Sequence, residues 1–434
     1  MKRFIEEKLK AWKDSKARKP LIVRGARQVG KTFTIKEFGK SSFPSLVIVD
    51  FERSRAVHSI FKDDLDPYKM VRELEVFSGQ KIIPGETLLF FDEIQACKRA
   101  LMMLRYIYEE IPDLHVIAAG SLLEFAINSL SFPVGRVTFE WMRPMSFREF
   151  LLAGGKEILV SNLPSVFRPE PISEILHHKI LEELRSYLIV GGMPEAVKRY
   201  LESGSLKIVK EVHDDIVNSY IDSLVKYNKR TNIESLEHLM RSVPSNVGSQ
   251  IKYTNLDPDR RIEVTKTSLN ILENAFLANR IRATDVAGLP LGANESAKVF
   301  KAIFLDVGLM QNICGLDPME TINAADLTSV YRGAVAEQFV GQELLASGGS
   351  ENYRLYYWSR MKKGSTAEVD FVISRSAKIY PVEVKSGSYG RIRSMHQLLN
   401  EYPQIEKGFV LSSDIHKSQS LKKLIFMPLY SDLR

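Results

Sequence analysis

The chain has 434 residues, of which 44% are hydrophobic and 26% are charged, as in folded soluble proteins and unlike disordered ones. Its 60 basic and 53 acidic residues give a net charge of +7, which permits an anionic partner such as nucleic acid without requiring one. The chain has two cysteines, Cys97 and Cys314, which are far apart in sequence and have no metal-ligand spacing. So few cysteines argue against a disulfide framework and are typical of a reducing compartment. No signal peptide and no run long enough to span a bilayer is found, so we expect a cytoplasmic protein with no membrane partner.

A glycine-bracketed loop follows a short apolar run that starts at Leu21, after Pro20, and predicts the first strand. From Gly25 to Thr32 the loop has the spacing G-x-x-x-x-G-K-T, the P-loop pattern, and a helical pattern follows until Gly39 stops it. In this pattern the glycines let backbone N–H groups face a phosphate, Lys31 reaches the terminal phosphates, and the Thr32 hydroxyl binds Mg²⁺. The candidate nucleotide-binding residues are Gly25, Ala26, Arg27, Gln28, Val29, Gly30, Lys31, Thr32 and Phe33.

Two further apolar runs, 45–51 and 87–93, predict strands, and their alternation with helical patterns indicates a parallel sheet. The second run ends in Asp92 and Glu93, the arrangement of a Walker B element. Asp92 would hold Mg²⁺ through water, and Glu93 would polarise the attacking water as a general base. The alternative is that both acids cap the helix that follows, and the preceding P-loop favours the catalytic interpretation.

A helix is predicted over residues 98–111, covering the sheet, and another buried strand over 115–121. The strand ends in Ser121, which has two interpretations. It senses the terminal phosphate of the nucleotide at the strand tip, or it caps a helix over 122–128. The sequence alone does not decide between them.

Taken together, these motifs resemble those of the prokaryotic AAA+-like ATPases that carry a restriction-endonuclease-like C-terminal domain. The matching segments are 27–32, 89–95, 120–121, 135–136 and 144–150. The resemblance implies that ATP is bound and hydrolysed, and that Arg136 is an arginine finger for the transferred phosphoryl group. A finger acting in trans would require a homo-oligomer, whereas one acting in cis would not. The alternative is a strand arginine held in a surface ion pair.

Between 155 and 235 the pattern becomes helical, which by the same resemblance indicates a lid over the nucleotide. One apolar face contains Ile180, Leu181, Leu184, Leu188 and Ile189. Residues 233–300 then predict a winged helix, with helices near 234–242 and 264–279. The second helix would bury Leu269, Leu272, Phe276 and Leu277, and the basic residues placed to meet DNA phosphates are Arg260, Arg261 and Lys266. The alternative is a connecting module with ordinary solvated side chains.

The C-terminal part predicts a helix opening at 335–340 and strands near 356–360, 367–373 and 379–386. Strand alternation places Glu383 and Lys385 on one face. Asp370, at a neighbouring strand position, would join Glu383 around Mg²⁺ or Mn²⁺, which prefer oxygen ligands. Lys385 would orient or deprotonate a water, and the metal would stabilise the phosphorane.

This layout, with Glu337 on the preceding helix, resembles the PD-(D/E)XK nuclease superfamily. The superfamily's Pro-Asp dipeptide is replaced here by Val369-Asp370, so only the acid is carried over. The resemblance implies that Glu337, Asp370 and Glu383 are metal ligands and that Lys385 is catalytic. The alternative is that the E-V-K run is a solvated strand face.

We therefore predict an α/β protein with a P-loop ATPase domain (1–155), a helical lid (156–232), a winged-helix-like domain (233–325) and a nuclease-like domain (326–434). The first hypothesis is an ATPase that couples ATP turnover, through Mg²⁺, to DNA binding and metal-dependent cleavage. The second is a nucleotide-controlled switch or scaffold, whose nuclease-like fold only binds a protein or DNA partner.

Overall fold

The computed structural model describes residues 1–62, 64–121, 123–124, 135–227, 233–295, 299–316, 333–348, 354–360, 365–385, 392–415 and 423–434. These residues form two compact units, which divide after Arg143. The first contains a five-stranded sheet and the second a seven-stranded sheet, which confirms the predicted α/β class. Among the described helices, none combines the length and the apolar character that crossing a membrane would need.

The first unit is built on a wholly parallel sheet. Its strands are β1 (Leu21–Arg24), β2 (Ser45–Asp50), β3 (Thr87–Asp92), β4 (His115–Ala119) and β5 (Thr138–Trp141), and its helices are α1 (Ile5–Asp14), α2 (Lys31–Ser42), α3 (Pro67–Ser78) and α4 (Lys98–Glu110). The strand order is β2-β3-β4-β1-β5, and each neighbouring pair runs parallel. The carboxyl ends of the strands therefore lie at one edge, where α/β proteins bind ligands.

Strands β1, β3 and β4 are buried along their whole length, as expected when both faces of a parallel sheet are covered. Beside β3, the rings of Phe51, Phe61 and Phe91 meet edge to face, with centroids 5.4 to 5.9 Å apart. The predicted helix over 98–111 is confirmed by α4, which buries Leu104 and its neighbours on one face. This packing fixes the end of β3, which carries the Walker B acids.

Helix α2 runs through Gly39 instead of stopping there, contrary to the prediction. Gly39 is buried, and a Cβ atom at this position would lie 2.8 Å from a Leu46 methyl group on β2. The glycine therefore serves close packing of α2 on the sheet, and the helix ends only at Ser42.

The second unit contains the remaining elements. Its strands are β6 (Ala278–Thr284), β7 (Phe300–Phe304), β8 (Tyr356–Ser359), β9 (Glu368–Arg375), β10 (Lys378–Val384), β11 (Gly408–Ser412) and β12 (Leu424–Pro428). Its helices are α5 (Phe147–Ala153), α6 (Glu157–Ser161), α7 (Glu174–Val190), α8 (Pro194–Ser203), α9 (Leu206–Tyr227), α10 (Ile233–Ser245), α11 (Tyr253–Leu256), α12 (Ile262–Asn274), α13 (Val307–Ile313), α14 (Ala334–Gly348) and α15 (Arg393–Glu401). The mixed sheet has the order β12-β11-β10-β9-β8-β6-β7.

The C-terminal helix and three strands predicted from the sequence are confirmed by α14, β8, β9 and β10. In the predicted winged-helix segment, three helices, α10, α11 and α12, precede an antiparallel hairpin, β6–β7. This is the element order of a winged helix. However, β6 also pairs in parallel with β8, with Ala283 opposite Tyr357. The hairpin is therefore part of the C-terminal sheet, and the predicted boundary at 325 falls between strands of that sheet.

Helix α12 ends at Asn274, so the predicted helix over 264–279 is too long. Phe276 has a φ of 62°, a left-handed conformation that terminates the helix, and the chain enters β6 at Ala278. Leu277 is buried, as predicted, but in the turn and not on the helix face.

The helix predicted from its apolar face corresponds to α7, in which Leu181 is only half-buried and the other four named residues are buried. The boundary between the compact units lies before the predicted boundary at 155, since α5 packs within the second unit. The Tyr187 ring on α7 packs against the rings of Phe147 and Phe150, with centroid distances of 5.5 and 5.4 Å. It also packs against the Phe339 ring on α14, with a centroid distance of 5.9 Å.

A buried carboxylate joins separate segments of the second unit. Asp306, fully buried, accepts hydrogen bonds from the backbone N–H groups of Gly192, Gly308 and Leu309, at 2.6, 3.0 and 3.1 Å. Gln342 on α14 donates to the Tyr187 hydroxyl and, at 3.3 Å, to Asp306. The glycine turn after α7 is thus tied to the start of α13 and to α14.

We expect Asp306→Ala to lower the free energy of unfolding of the second unit by about 3 kcal/mol, because it leaves several buried N–H groups without an acceptor. Urea unfolding followed by fluorescence would measure this loss. Asp214→Ala is the matched control, since Asp214 bonds Lys210 and Asn312 at the surface, and its cost should stay below about 1 kcal/mol. Equal costs for the two variants would contradict the joining role of Asp306.

Candidate functional site

The P-loop connects β1 to α2 at the carboxyl edge of the parallel sheet. Gly25 has a φ of 147°, and a Cβ atom there would lie 2.0 Å from the Met142 carbonyl oxygen, so no other residue fits. Gly30, with a φ of 95°, is the N-cap of α2 and provides no capping side chain. The first N–H groups of α2 therefore lack a side-chain cap and face the loop, as an anion-binding helix N-terminus does.

Lys31 is the buried cation of this loop. Its side chain turns back so that Nζ donates to the carbonyl oxygens of Gly25 and Ala26, at 2.9 and 2.7 Å. Burial lowers the pKa of Lys31 to about 8, although the nearby carboxylates of Glu93 and Asp92 oppose this shift. The ammonium is thus held inside the loop, where a phosphate would offer it stronger partners than carbonyl groups do.

Thr32 and Asp92 bring together the oxygens expected of a magnesium site. The Thr32 hydroxyl donates to Asp92 Oδ1 at 3.1 Å, joining the start of α2 to the end of β3. Burial raises the pKa of Asp92 to about 6, against the lowering effect of the Thr32 hydrogen bond. A hydroxyl and a carboxylate are suitable Mg²⁺ ligands, so the residues fit the ion, which when bound would shield phosphate charge.

Glu93 is held beside the sheet edge by two neighbours. Its Oε2 atom accepts hydrogen bonds from the Ser121 N–H and hydroxyl groups, at 3.1 and 3.0 Å, and from Gln95 Nε2 at 2.6 Å. Glu93 is the N-cap residue of a short 3-10 helix, Ile94–Ala96, that precedes α4, but its side chain makes no capping hydrogen bond there, so the capping alternative does not describe its contacts. Ser121 is thereby connected to the proposed general base, while most of the predicted helix 122–128 lies outside the described residues.

Arg3 binds the backbone of the P-loop, a contact that was not predicted from the sequence. Its guanidinium group is buried and donates to the carbonyl oxygens of Val29 and Arg143, at 2.9 and 2.6 Å. The contact joins the chain's start to the P-loop and to the end of β5. No sequence signal identifies such a pairing, because the partners are backbone atoms distant in sequence.

Arg136 lies at the amino end of the parallel strands, whereas the P-loop lies at their carboxyl end. It precedes β5, whose Thr138 aligns with Leu21 at the start of β1, whereas the P-loop follows the end of β1. Its Nε atom pairs with Glu109 at 2.8 Å, which is the ion pair of the alternative interpretation. Within one chain, Arg136 and the P-loop lie at opposite ends of β1 and β5, so Arg136 does not reach the nucleotide site of its own chain. The predicted arginine finger therefore remains a prediction only for action on a neighbouring chain.

The other predicted loop residues differ in exposure. Ala26 and Val29 are buried, and Gln28 adopts a φ of 62°. Arg27 lies close enough to Lys31 to lower the pKa of that ammonium. Phe33 is 59% exposed, so its side chain is accessible to a base or to another protein.

In the second unit, the predicted acids of the C-terminal site do lie together. Asp370 on β9 accepts a hydrogen bond from the Val384 N–H group at 2.8 Å, and Glu383 on β10 pairs with Lys385 at 2.6 Å. Burial raises the pKa of Glu383 to about 7, and the charge of Asp370 adds to the shift. The Glu383 Oε2 atom is buried without a hydrogen-bond partner among the described residues.

A residue that was not predicted, Lys301 on β7, lies within this cluster. Its Nζ atom is 2.7 Å from Glu337, 2.8 Å from Glu368 and 3.3 Å from Asp370. Burial alone would lower the pKa of Lys301, but the three acids raise it well above its ordinary value. The described residues show no group of acids, His and Cys arranged to hold a metal ion. With an ammonium among its carboxylates, the cluster does not fit the predicted divalent ion.

The sequence does contain a signal for the position of Lys301. Lys301 interrupts the apolar run 300–304, and a lysine in a buried strand requires acidic partners. Burial also raises the pKa of Glu337 to about 8, with Asp370 contributing and Lys301 opposing. The ammonium of Lys301 therefore opposes the effect that burial and the charge of Asp370 have on Glu337.

Comparison with known families supports the first site. A family model described as an AAA domain matches residues 17–151. Two models described as domains of unknown function, DUF8612 and DUF4143, match residues 181–320 and 332–431. A search of curated proteins gives no match. The chain therefore contains an AAA-type P-loop domain, as the sequence motifs predicted.

Solved structures give weaker likenesses. They include ORC1 of Aeropyrum pernix in complex with DNA (10% identity, TM-score 0.30, covering 74% of this chain and 94% of that one) and the Thermotoga maritima RuvB Holliday junction branch migration motor (13%, 0.29, 64% and 88%). Drosophila ORC bound to DNA is similar at 12% identity and a TM-score of 0.28, covering 72% of this chain and 94% of that one. TM-scores of this size carry no argument about fold or partners, so the assignment rests on the P-loop and the AAA family match.

The two shifted pKa values predict a pH window for nucleotide binding. In the free protein, Asp92 is ionised above about pH 6 and Lys31 is charged below about pH 8, so Mg²⁺-dependent ATP affinity should be greatest between these values. Below pH 6 we expect it to fall about tenfold per pH unit, because Asp92 must lose a proton to hold the ion. Calorimetric titration at a series of pH values would measure this. In Asp92→Asn, the Mg²⁺-dependent loss of affinity below pH 6 should disappear, which separates the titration of Asp92 from that of ATP itself. If this loss were unchanged in the variant, the assignment to Asp92 would be contradicted.

Proposed function

We propose that this protein hydrolyses ATP in the presence of Mg²⁺ and uses the nucleotide cycle to control binding of a partner. The observation that carries the proposal is the meeting of Lys31, Thr32, Asp92 and Glu93 at one edge of a parallel sheet. Each of these groups has the chemistry that phosphoryl transfer to water requires, namely a cation, two ion ligands and a base. The AAA family match covers all four residues.

The chain's residues divide the work as follows. The α2 N-terminus and the Lys31 ammonium bind the phosphates, so Lys31 exchanges two carbonyl partners for phosphate oxygens. Thr32 and Asp92 would hold Mg²⁺. Glu93 accepts the proton of the attacking water at Oε1, since its Oε2 atom already accepts hydrogen bonds from Ser121 and Gln95. The hydrogen bonds to Glu93 thus link the base to the end of β4, beside the nucleotide.

Two substitutions separate binding from hydrolysis. Lys31→Ala should abolish ATP binding and turnover, whereas Glu93→Gln should keep ATP binding and lower turnover by about 10²- to 10⁴-fold, the usual contribution of a general base. Calorimetry and phosphate release would measure the two effects. Lys40→Ala is the matched control, since Lys40 is an exposed lysine on the same helix that pairs with Glu37. Full turnover by Glu93→Gln would overturn the role of Glu93.

The partner we propose is DNA, bound by the segment with the winged-helix element order. Arg260, Arg261 and Lys266 are exposed around the start of α12, and the chain has a net charge of +7. Two of these side chains have weak surface partners: Arg260 pairs with Glu234, and the Lys266 ammonium lies 5.3 Å from the Tyr253 ring centroid. Such contacts leave the basic groups free to exchange towards phosphates.

Replacing Arg260, Arg261 and Lys266 together by alanine should weaken binding to duplex DNA at least about tenfold at low salt and reduce the salt slope by about two to three. Fluorescence anisotropy across a salt series would measure both quantities. The matched control replaces Lys179, Lys198 and Arg199, three exposed basic residues of the second unit, with the same change in net charge. Equal losses in the two triple variants would show that only overall charge matters.

Metal-dependent cleavage by Glu337, Asp370, Glu383 and Lys385 stays a prediction from the sequence. The contacts of the C-terminal cluster favour the second hypothesis, a nucleotide-controlled switch whose nuclease-like fold binds without cutting, because Lys301 already lies among the acids. A homo-oligomer in which Arg136 reaches the P-loop of a neighbouring chain also remains a proposal from the sequence. It is supported by the exposure of nearly half of the Arg136 side chain.

A further inference from the structure

The C-terminal acidic cluster is assembled from three separate parts of the second unit. Lys301 comes from β7, Glu337 from α14, and Glu368 and Asp370 from β9. The Lys301 side chain is 1% exposed, whereas its three partners are between 14% and 22% exposed. A lysine removed so completely from water needs several oxygen partners, because desolvating its charge costs several kcal/mol.

The carboxylate oxygens that do not contact Lys301 are largely occupied by other donors. Glu368 Oε2 accepts a hydrogen bond from Gln250 at 2.6 Å, and Asp370 Oδ2 accepts one from the Val384 N–H group at 2.8 Å. A divalent ion bound here would have to compete for oxygens that already have short, charge-assisted hydrogen bonds. The exceptions are Glu383 Oε2 and Glu337 Oε1, for which no hydrogen-bond donor is found among the described residues.

We propose that Lys301 is the resident cation of this cluster and takes the place that a divalent metal would hold. The cluster then acts as a metal-independent clamp that fixes the β6–β7 hairpin to α14 and β9. A single ammonium cannot lower the pKa of a water or bridge it to a phosphate as a metal does, so metal-dependent cleavage is not available at these acids. This inference does not depend on ATP hydrolysis by the first unit.

The ammonium and a divalent ion compete for the same oxygens, which makes the proposal testable with Mn²⁺ as the probe. Nucleotide-free proteins in an Asp92→Asn background are used, so that the P-loop acid contributes no binding. Without Lys301, the repelling acids should accept the ion instead. Lys301→Met should therefore gain one Mn²⁺ site, with at least about a hundredfold higher affinity than the parent protein, as measured by the loss of the free Mn²⁺ spin-resonance signal.

The same variant should unfold at a temperature lower by about 5 °C or more than the parent without metal, and Mn²⁺ should restore most of the difference by binding the folded state. Lys378→Met is the matched control, because Lys378 belongs to the same sheet but pairs with Glu406 at the surface. This control should neither gain a Mn²⁺ site nor lose much stability.

Two results would overturn the proposal. The first is that the parent protein itself binds one Mn²⁺ ion and loses it in Asp370→Asn or Glu383→Gln. The second is that Lys301→Met is as stable as Lys378→Met and gains no Mn²⁺ site. If Lys301→Met does not fold, the double variant Lys301→Met/Glu368→Gln removes one of the repelling charges, and the parent titration still decides the first result.

Discussion

A lysine ammonium that is removed from water has to be surrounded by oxygen atoms, and both sites of this protein are built around that requirement. Lys31 is held by two neutral carbonyl groups, whereas Lys301 is held by three carboxylates. The difference in partners separates the roles. Carbonyl groups can be exchanged for the stronger charge of a phosphate, so Lys31 can respond to a nucleotide. Three carboxylates hold their cation too strongly for such an exchange.

At the carboxyl ends of the first unit's strands, the residues of the proposed ATP site are joined by hydrogen bonds of their own. Lys31 is bonded to its loop, Thr32 to Asp92, and Glu93 to Ser121. Binding of Mg²⁺ and ATP would replace the contacts of Lys31 and Thr32, and each net protein hydrogen bond contributes about 1 kcal/mol. The cost is small beside the attraction between phosphates and a buried ammonium. If ATP binds as proposed, the P-loop would exchange one well-bonded arrangement for another, which is the property a nucleotide-controlled switch requires.

Local patterns were sufficient to predict what depends on neighbouring residues. The P-loop, the strand ending at Asp92 and the strand pair carrying Asp370 and Glu383 follow from spacing and alternation, and the structure confirms these elements. The contacts of Arg3 and Lys301 were not predicted, since their partners are distant in sequence and are set by strand order. The ends of two helices were predicted wrongly for a related reason. Helix α2 continues through Gly39 because this glycine allows close packing on β2. Helix α12 ends before Phe276, which has a left-handed backbone conformation, although the apolar pattern predicted a longer helix.

The parallel pairing of β6 with β8 has a consequence for dividing the protein into fragments. A fragment starting at 326 would contain β8 but not β6, so one side of β8 would expose unpaired N–H and C=O groups. It would also lack Lys301, and the carboxylates of Glu337, Glu368 and Asp370 would repel one another. An open strand edge is a template for association between copies, and self-association of this fragment would reflect the missing strand and not a natural dimer.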